Sequence, residues 1–170
     1  MCSGETLEQV LARYERMVDE YGWAVISVEC GGRRAPGFSY TVGLHRFDGQ
    51  PELVISGCDS GIPSVLNGFG DHVLEGARFE AGGVGPDCVV DDVRFVEVAD
   101  PRRLAVAQEL LGGPDVLVPA LQVVRADARG RWPWEPGWSE PGEQFFGRAL
   151  PAPRAGGPRA PRTGQRVQPH

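Results

Sequence analysis

Residues 36–57 carry the clearest hydrophobic–polar pattern of the chain. Phe38, Tyr40 and Val42 alternate with Ser39, Thr41 and Gly43, the two-residue period of a strand that buries one face. Branched and aromatic side chains fit such a pleated surface. Leu53, Val54 and Ile55 follow as a short apolar run closed by Gly57. The polar connection from His45 to Pro51 contains the turn signal Asp48-Gly49, so the two runs are expected to pair as a hairpin. Gly43 inside the first run points to a bulge or a close backbone approach.

Helical periods flank this hairpin. Over residues 5–21, Leu7, Val10, Leu11, Tyr14, Met17, Val18 and Tyr21 recur every three or four positions. Ser3 or Thr6 is placed to cap the start and Gly22 to stop the helix. Residues 23–30 then read as a strand. A second helix is expected over 61–76, with Asp59 or Ser60 as cap and Pro63 in its first turn. The glycine-rich link 81–86 leads to strands over 88–90 and 93–98. Asp100-Pro101 opens a third helix that Gly112-Gly113-Pro114 ends, and a last strand spans 116–124.

Strands and helices do not alternate strictly in this order. The pattern predicts an α+β fold: a single domain over residues 1–150, with a mainly antiparallel sheet packed with about three helices. Residues 129–138, with Trp132, Pro133, Trp134, Pro136 and Trp138, cannot form regular helix. From residue 151 onward Pro, Arg, Gly and Ala dominate. Such a segment buries too little surface to offset its ordering entropy, so residues 151–170 are expected to be a disordered tail.

Charge narrows the function classes. All 17 basic residues are Arg, and all 23 acidic residues precede position 151. Thirteen arginines against those 23 acids leave residues 1–150 at −10, while four arginines give residues 151–170 a charge of +4. An acidic body argues against nucleic acid as partner, because phosphate binding needs a positive field. No apolar run approaches the roughly 20 residues that span a bilayer, and the polar N-terminus lacks a signal-peptide pattern. A cytoplasmic protein with no membrane contact is expected. Its four cysteines, Cys2, Cys30, Cys58 and Cys88, form no Cys-x-x-Cys pair and read as small packed residues plus one terminal thiol.

Several segments together carry a family likeness: Tyr21-Gly22-Trp23-Ala24-Val25, Phe38-Ser39-Tyr40-Thr41-Val42-Gly43-Leu44, Pro51-Glu52-Leu53-Val54, Leu121-Gln122-Val123-Val124 and Gly130-Arg131-Trp132-Pro133-Trp134-Glu135. Over roughly residues 5–150 the chain resembles the bacterial family catalogued as domain of unknown function 4262. The resemblance implies membership and an α+β fold. It implies no catalytic residue, because the family carries no assigned activity.

The residues themselves suggest a binding or accessory module for an unknown small molecule or protein partner. Aromatic, Arg and His side chains concentrate at element ends, where sites tend to sit. The expected cleft combines Tyr40, His45, Cys58, Asp59, Arg131, Trp132 and Trp134. The alternative for the Trp segment is a cover that closes the core. One competing reading is an enzyme using Cys58, a thiol at a helix start, or His45. Another is a split-barrel protein holding a flavin or other cofactor. His45, His72, Cys58 and Cys88 lack the paired spacing of a zinc site, and Gly82-Gly83-Val84-Gly85 precedes a strand where a phosphate cradle needs a helix. Cofactor identity and oligomeric state are beyond the pattern.

Overall fold

The computed structural model describes residues 4–29, 37–57, 59–86, 92–139 and 145–147. Helix α1 (Leu7–Tyr21) starts two residues after the expected position, with Thr6, one of the two cap candidates, as its N-cap. Thr6 accepts from the backbone of Gln9 while the Gln9 side chain accepts from the Thr6 backbone. This reciprocal capping box satisfies two of the four orphan amides of the first turn. Gly22 ends the helix at φ 94°, a conformation that costs glycine little.

Among the described residues five strands follow in the sheet order β1-β2-β3-β5-β4: β1 (Ala24–Val28), β2 (Phe38–Val42), β3 (Glu52–Ser56), β4 (Val93–Glu97) and β5 (Ala120–Arg125). The expected hairpin is present, with Phe38 opposite Ser56 and Tyr40 opposite Val54. Every pairing is antiparallel except β3 with β5, where Glu52 lies beside Ala120 and Val54 beside Gln122. Among the described residues the sheet is open, with β1 and β4 as its edges.

Both faces of the sheet are covered. Ala24, Ile26, Phe38, Tyr40, Val42, Val54 and Ala120 pack with Val18 of α1 and with Leu104 and Ala107, the latter from α3 (Ala105–Leu111). Leu53, Val93, Phe95, Leu121 and Val123 point the other way. They meet Ile62, Leu66, Phe69 and Val73 of α2 (Ile62–Leu74). The two-residue period of each strand thus feeds two separate apolar layers.

The last strand starts at Ala120, not at 116, and three further elements differ from expectation. The third helix is broken: a 3-10 turn at Pro101–Arg103 precedes α3. The Gln108 amide explains the break, since its Nε2 donates to the carbonyls of Pro101 and Val118 and its Oε1 accepts from Val118 N. Tertiary bonding therefore replaces the continuous helical ladder. Helix α2 has Gly61 as N-cap with no side-chain cap, although Asp59 Oδ1 accepts from Gly61 N one turn earlier. The glycine-rich link is more than a loop. Val84 bridges Arg94, and the Gly83 carbonyl accepts from Phe95 N, which covers part of the β4 edge. The expected strand over 88–90 and the segment 151–170 lie outside the described residues.

Candidate functional site

The end of β2 turns through Gly43, which has φ 119°. A Cβ there would lie 2.6 Å from the Gly22 carbonyl oxygen and 2.9 Å from Trp23 Cα. Gly43 is thus the close backbone approach the sequence suggested. The chain continues into a 3-10 turn, Leu44–Arg46, whose amides converge on one side chain. Glu52 Oε1 accepts from Gly43 N at 2.9 Å and His45 N at 3.0 Å, while Thr41 Oγ1 donates to Oε2 at 2.6 Å. Glu52 is fully buried. Burial pushes its carboxyl up to about 7, against the opposing pull of Thr41 and the turn amides. No sequence expectation singled out Glu52, although a charged residue opening an apolar strand run was the visible signal. Its burial leaves it no route to a ligand, and its task is to hold the β2–β3 turn.

The candidate residues divide between the two ends of the sheet. Tyr40 is buried in mid-strand, where its hydroxyl accepts from Val106 N of α3. Burial pushes that hydroxyl up to about 12, with the Val106 amide opposing. His45 sits beside Glu52, with Nδ1 3.3 Å from the Gln50 carbonyl. Asp59 follows the far end of β3, because β2 and β3 run antiparallel. The hairpin therefore does not bring His45 and Asp59 together. Cys58 lies outside the described residues.

Arg131, Trp132 and Trp134 do come together, at the carboxyl ends of the parallel strands β3 and β5, the same end as Asp59. Asp127, two residues past β5 and buried, organises the loop. Oδ1 accepts from Arg129 N and Arg131 N, each at 2.9 Å, and Oδ2 from Ser139 N and Arg131 Nε. Burial works against the Asp127 carboxylate, but the Arg131, Arg129 and Ser139 amides and the Arg131 charge outweigh it and hold its pKa below the ordinary value. An Asp ahead of Ala128-Arg129-Gly130 is the turn signal that could have revealed this anchor. Arg131 Nε is held by Asp127 Oδ2 at 3.2 Å, and its side chain is partly exposed.

On this frame Trp132 and Trp134 stack, with centroids 5.4 Å apart and planes 4° from parallel. Both are half-buried. Trp132 N donates to Glu135 Oε2 at 2.6 Å, and Glu135 N returns a bond to the Trp132 carbonyl, so the Trp-Pro-Trp-Glu segment closes as a tight turn. The Arg94 guanidinium of β4 lies 4.8 Å from the Trp132 ring centre, within cation–π range. Trp138 Nε1 is buried without an acceptor among the described residues.

Among the described residues no three His, Cys, Asp or Glu side chains converge to hold a metal. Among those residues, too, no helix is long and apolar enough to cross a membrane. No curated protein and no solved structure matches the chain. The sequence model of one family matches residues 17–139, which span β1 to β5 and the whole Asp127 loop. The chain belongs to that family, described as Domain of unknown function (DUF4262).

Proposed function

We propose that this chain is a ligand-binding module and that the Asp127-anchored loop is its binding surface. The observation that carries the reading is the parallel Trp132–Trp134 stack, half-buried and backed by Arg94. Indoles offer large contact area at low cost in conformational entropy, and Trp and Arg dominate binding hot spots. The occupant that fits is a ligand presenting a flat apolar face.

Tryptophan emission titrated with adenosine, free phenylalanine and a tetraproline peptide tests this. At least one probe saturates, and Trp134→Ala abolishes that saturation while leaving the far-UV circular dichroism unchanged. Linear, non-saturating responses to all three probes would contradict the reading.

A further inference from the structure

We infer that the Trp132–Trp134 surface takes a small aromatic anion, a flat ring bearing a phosphate or a carboxylate, and that Arg94 reads its charge; the inference rests on the binding module and adds the class of its ligand.

Arg94 sits in β4 opposite Val124 of β5 on one side and bridges Val84 on the other. Residues paired across strands put their side chains on one face, about 5 Å apart. Val124 is buried and Val84 is exposed. From this row the Arg94 guanidinium lies over Trp132, 4.8 Å from the ring centre, and Trp134 stacks on the same indole. A guanidinium held over a ring still presents N–H groups at its edge, in a fork that matches phosphate and carboxylate oxygens. Val84 and the indoles supply apolar neighbours that lower the local dielectric, which strengthens a hydrogen bond made there. An anion on Arg94 thus leaves the flat part of its ligand against the aromatic pair.

The arginines of this region are also short of carboxylates. Arg13, Arg46, Arg78, Arg102 and Arg131 each pair with an acid. Arg94 is exposed on a body at −10 over residues 1–150, yet it has no carboxylate partner among the described residues. Asp92, two positions before Arg94, makes no ion pair with it. Asp127 is held by its own loop, and Glu135 accepts from the Trp132 amide. Arg129 of the same turn is exposed and likewise has no carboxylate partner among those residues.

The charge distribution limits the size of the ligand. Charges beyond a Debye length, about 8 Å at physiological salt, are screened, so a small anion feels the arginines of this loop. A long polyanion would lie along the acidic remainder of the body and be repelled by it.

Tryptophan emission of the full chain is titrated with adenosine monophosphate beside adenosine, and with phenylacetate beside phenylacetamide. In at least one pair the anion should bind roughly tenfold more tightly than its neutral partner, the equivalent of one charge-assisted hydrogen bond, and added salt should narrow the difference. A difference in the first pair alone assigns a phosphate, and one in the second alone a carboxylate. Arg94→Gln should abolish the difference, and Arg94→Lys, which keeps the charge, should retain part of it. The ratio within one variant is unmoved by a general loosening of the surface. If neither anion binds more tightly than its partner, the aromatic anion is overturned, and the binding module stands or falls by the neutral probes alone. A difference that survives in Arg94→Gln overturns the assignment to Arg94. Tighter binding of a deoxyadenosine oligonucleotide than of adenosine monophosphate, compared per nucleotide, would make the ligand a polyanion and also overturn it.

Discussion

Thr41 Oγ1 donates to Glu52 Oε2 at 2.6 Å, and the same hydroxyl oxygen accepts from Leu53 N at 2.9 Å. Side chains of adjacent strands thus lock the mouth of the hairpin from inside the core. Both protonation states of Glu52 fit. As a carboxylate it accepts the Thr41 proton; as an acid it donates to Thr41, whose second lone pair is open.

The pH dependence of stability follows from this site. Burial raises the folded-state pKa of Glu52 from 4.5 to about 7. Between those values the folded state holds a proton that the unfolded chain has released, so stability falls as pH rises through that window. The contribution is complete below pH 4.5 and lost above 7, on the order of 3 kcal/mol in all. Denaturant unfolding across pH 4–8 should show this slope in the natural chain and not in Glu52→Gln, whose amide fills the same shape without titrating. Equal slopes in both proteins would contradict the assignment.

Gly43→Ala should cost about 3 kcal/mol or more. The left-handed φ is strained for alanine, and the added methyl meets the Gly22 carbonyl and Trp23 Cα, backbone that cannot swing aside. Equilibrium unfolding measures the loss; a change below about 1 kcal/mol would show that the β2 turn relaxes freely.

Gly70→Ala reverses a general rule. Glycine to alanine inside a helix gains about 1 kcal/mol from propensity, but Gly70 faces the Trp23 indole, whose Cε2 would lie 2.4 Å from the new Cβ. The indole must move, breaking its Nε1 bond to Asn67 Oδ1. Net destabilisation of about 1–2 kcal/mol is expected, with a shift of the Trp23 indole N–H resonance. Stabilisation would show that α2 moves off the sheet without cost.

Asp127→Ala removes the acceptor of three backbone amides and of Arg131 Nε. The expected outcome is collapse of the near-UV circular dichroism of the Trp132–Trp134 pair with the far-UV spectrum kept. Because the folded-state pKa is depressed, the anchor is present above the ordinary carboxylate value and is lost as pH falls through the folded pKa. The near-UV signal of the natural chain should therefore fade in acid before the far-UV signal does. Intact near-UV signals in the variant would show that the Trp-Pro-Trp turn needs no anchor.

Local signals were legible in the sequence. The capping box at Thr6, the stop at Gly22, the hairpin and the strain at Gly43 all follow from residue type and spacing. Partners distant in sequence were not. Gln108 breaks the third helix by reaching Val118, and nothing in the Leu104 to Leu111 stripe announces that bond. The expected cleft joined His45 and Asp59 because both sit at element ends, yet an antiparallel hairpin carries the end of one strand away from the end of the next. Trp132 and Trp134 were legible as unusual, while the Arg94 beneath them came from a strand 38 positions earlier.

The stability of the double variant Trp132→Ala/Trp134→Ala, read beside its response to the saturating probe, tests the central claim most directly. A surface built for binding predicts unfolding free energy within about 1 kcal/mol of the natural chain and no saturable response. A loss of several kcal/mol, or a chain that no longer folds, would make the two indoles a lid on the core and contradict the account.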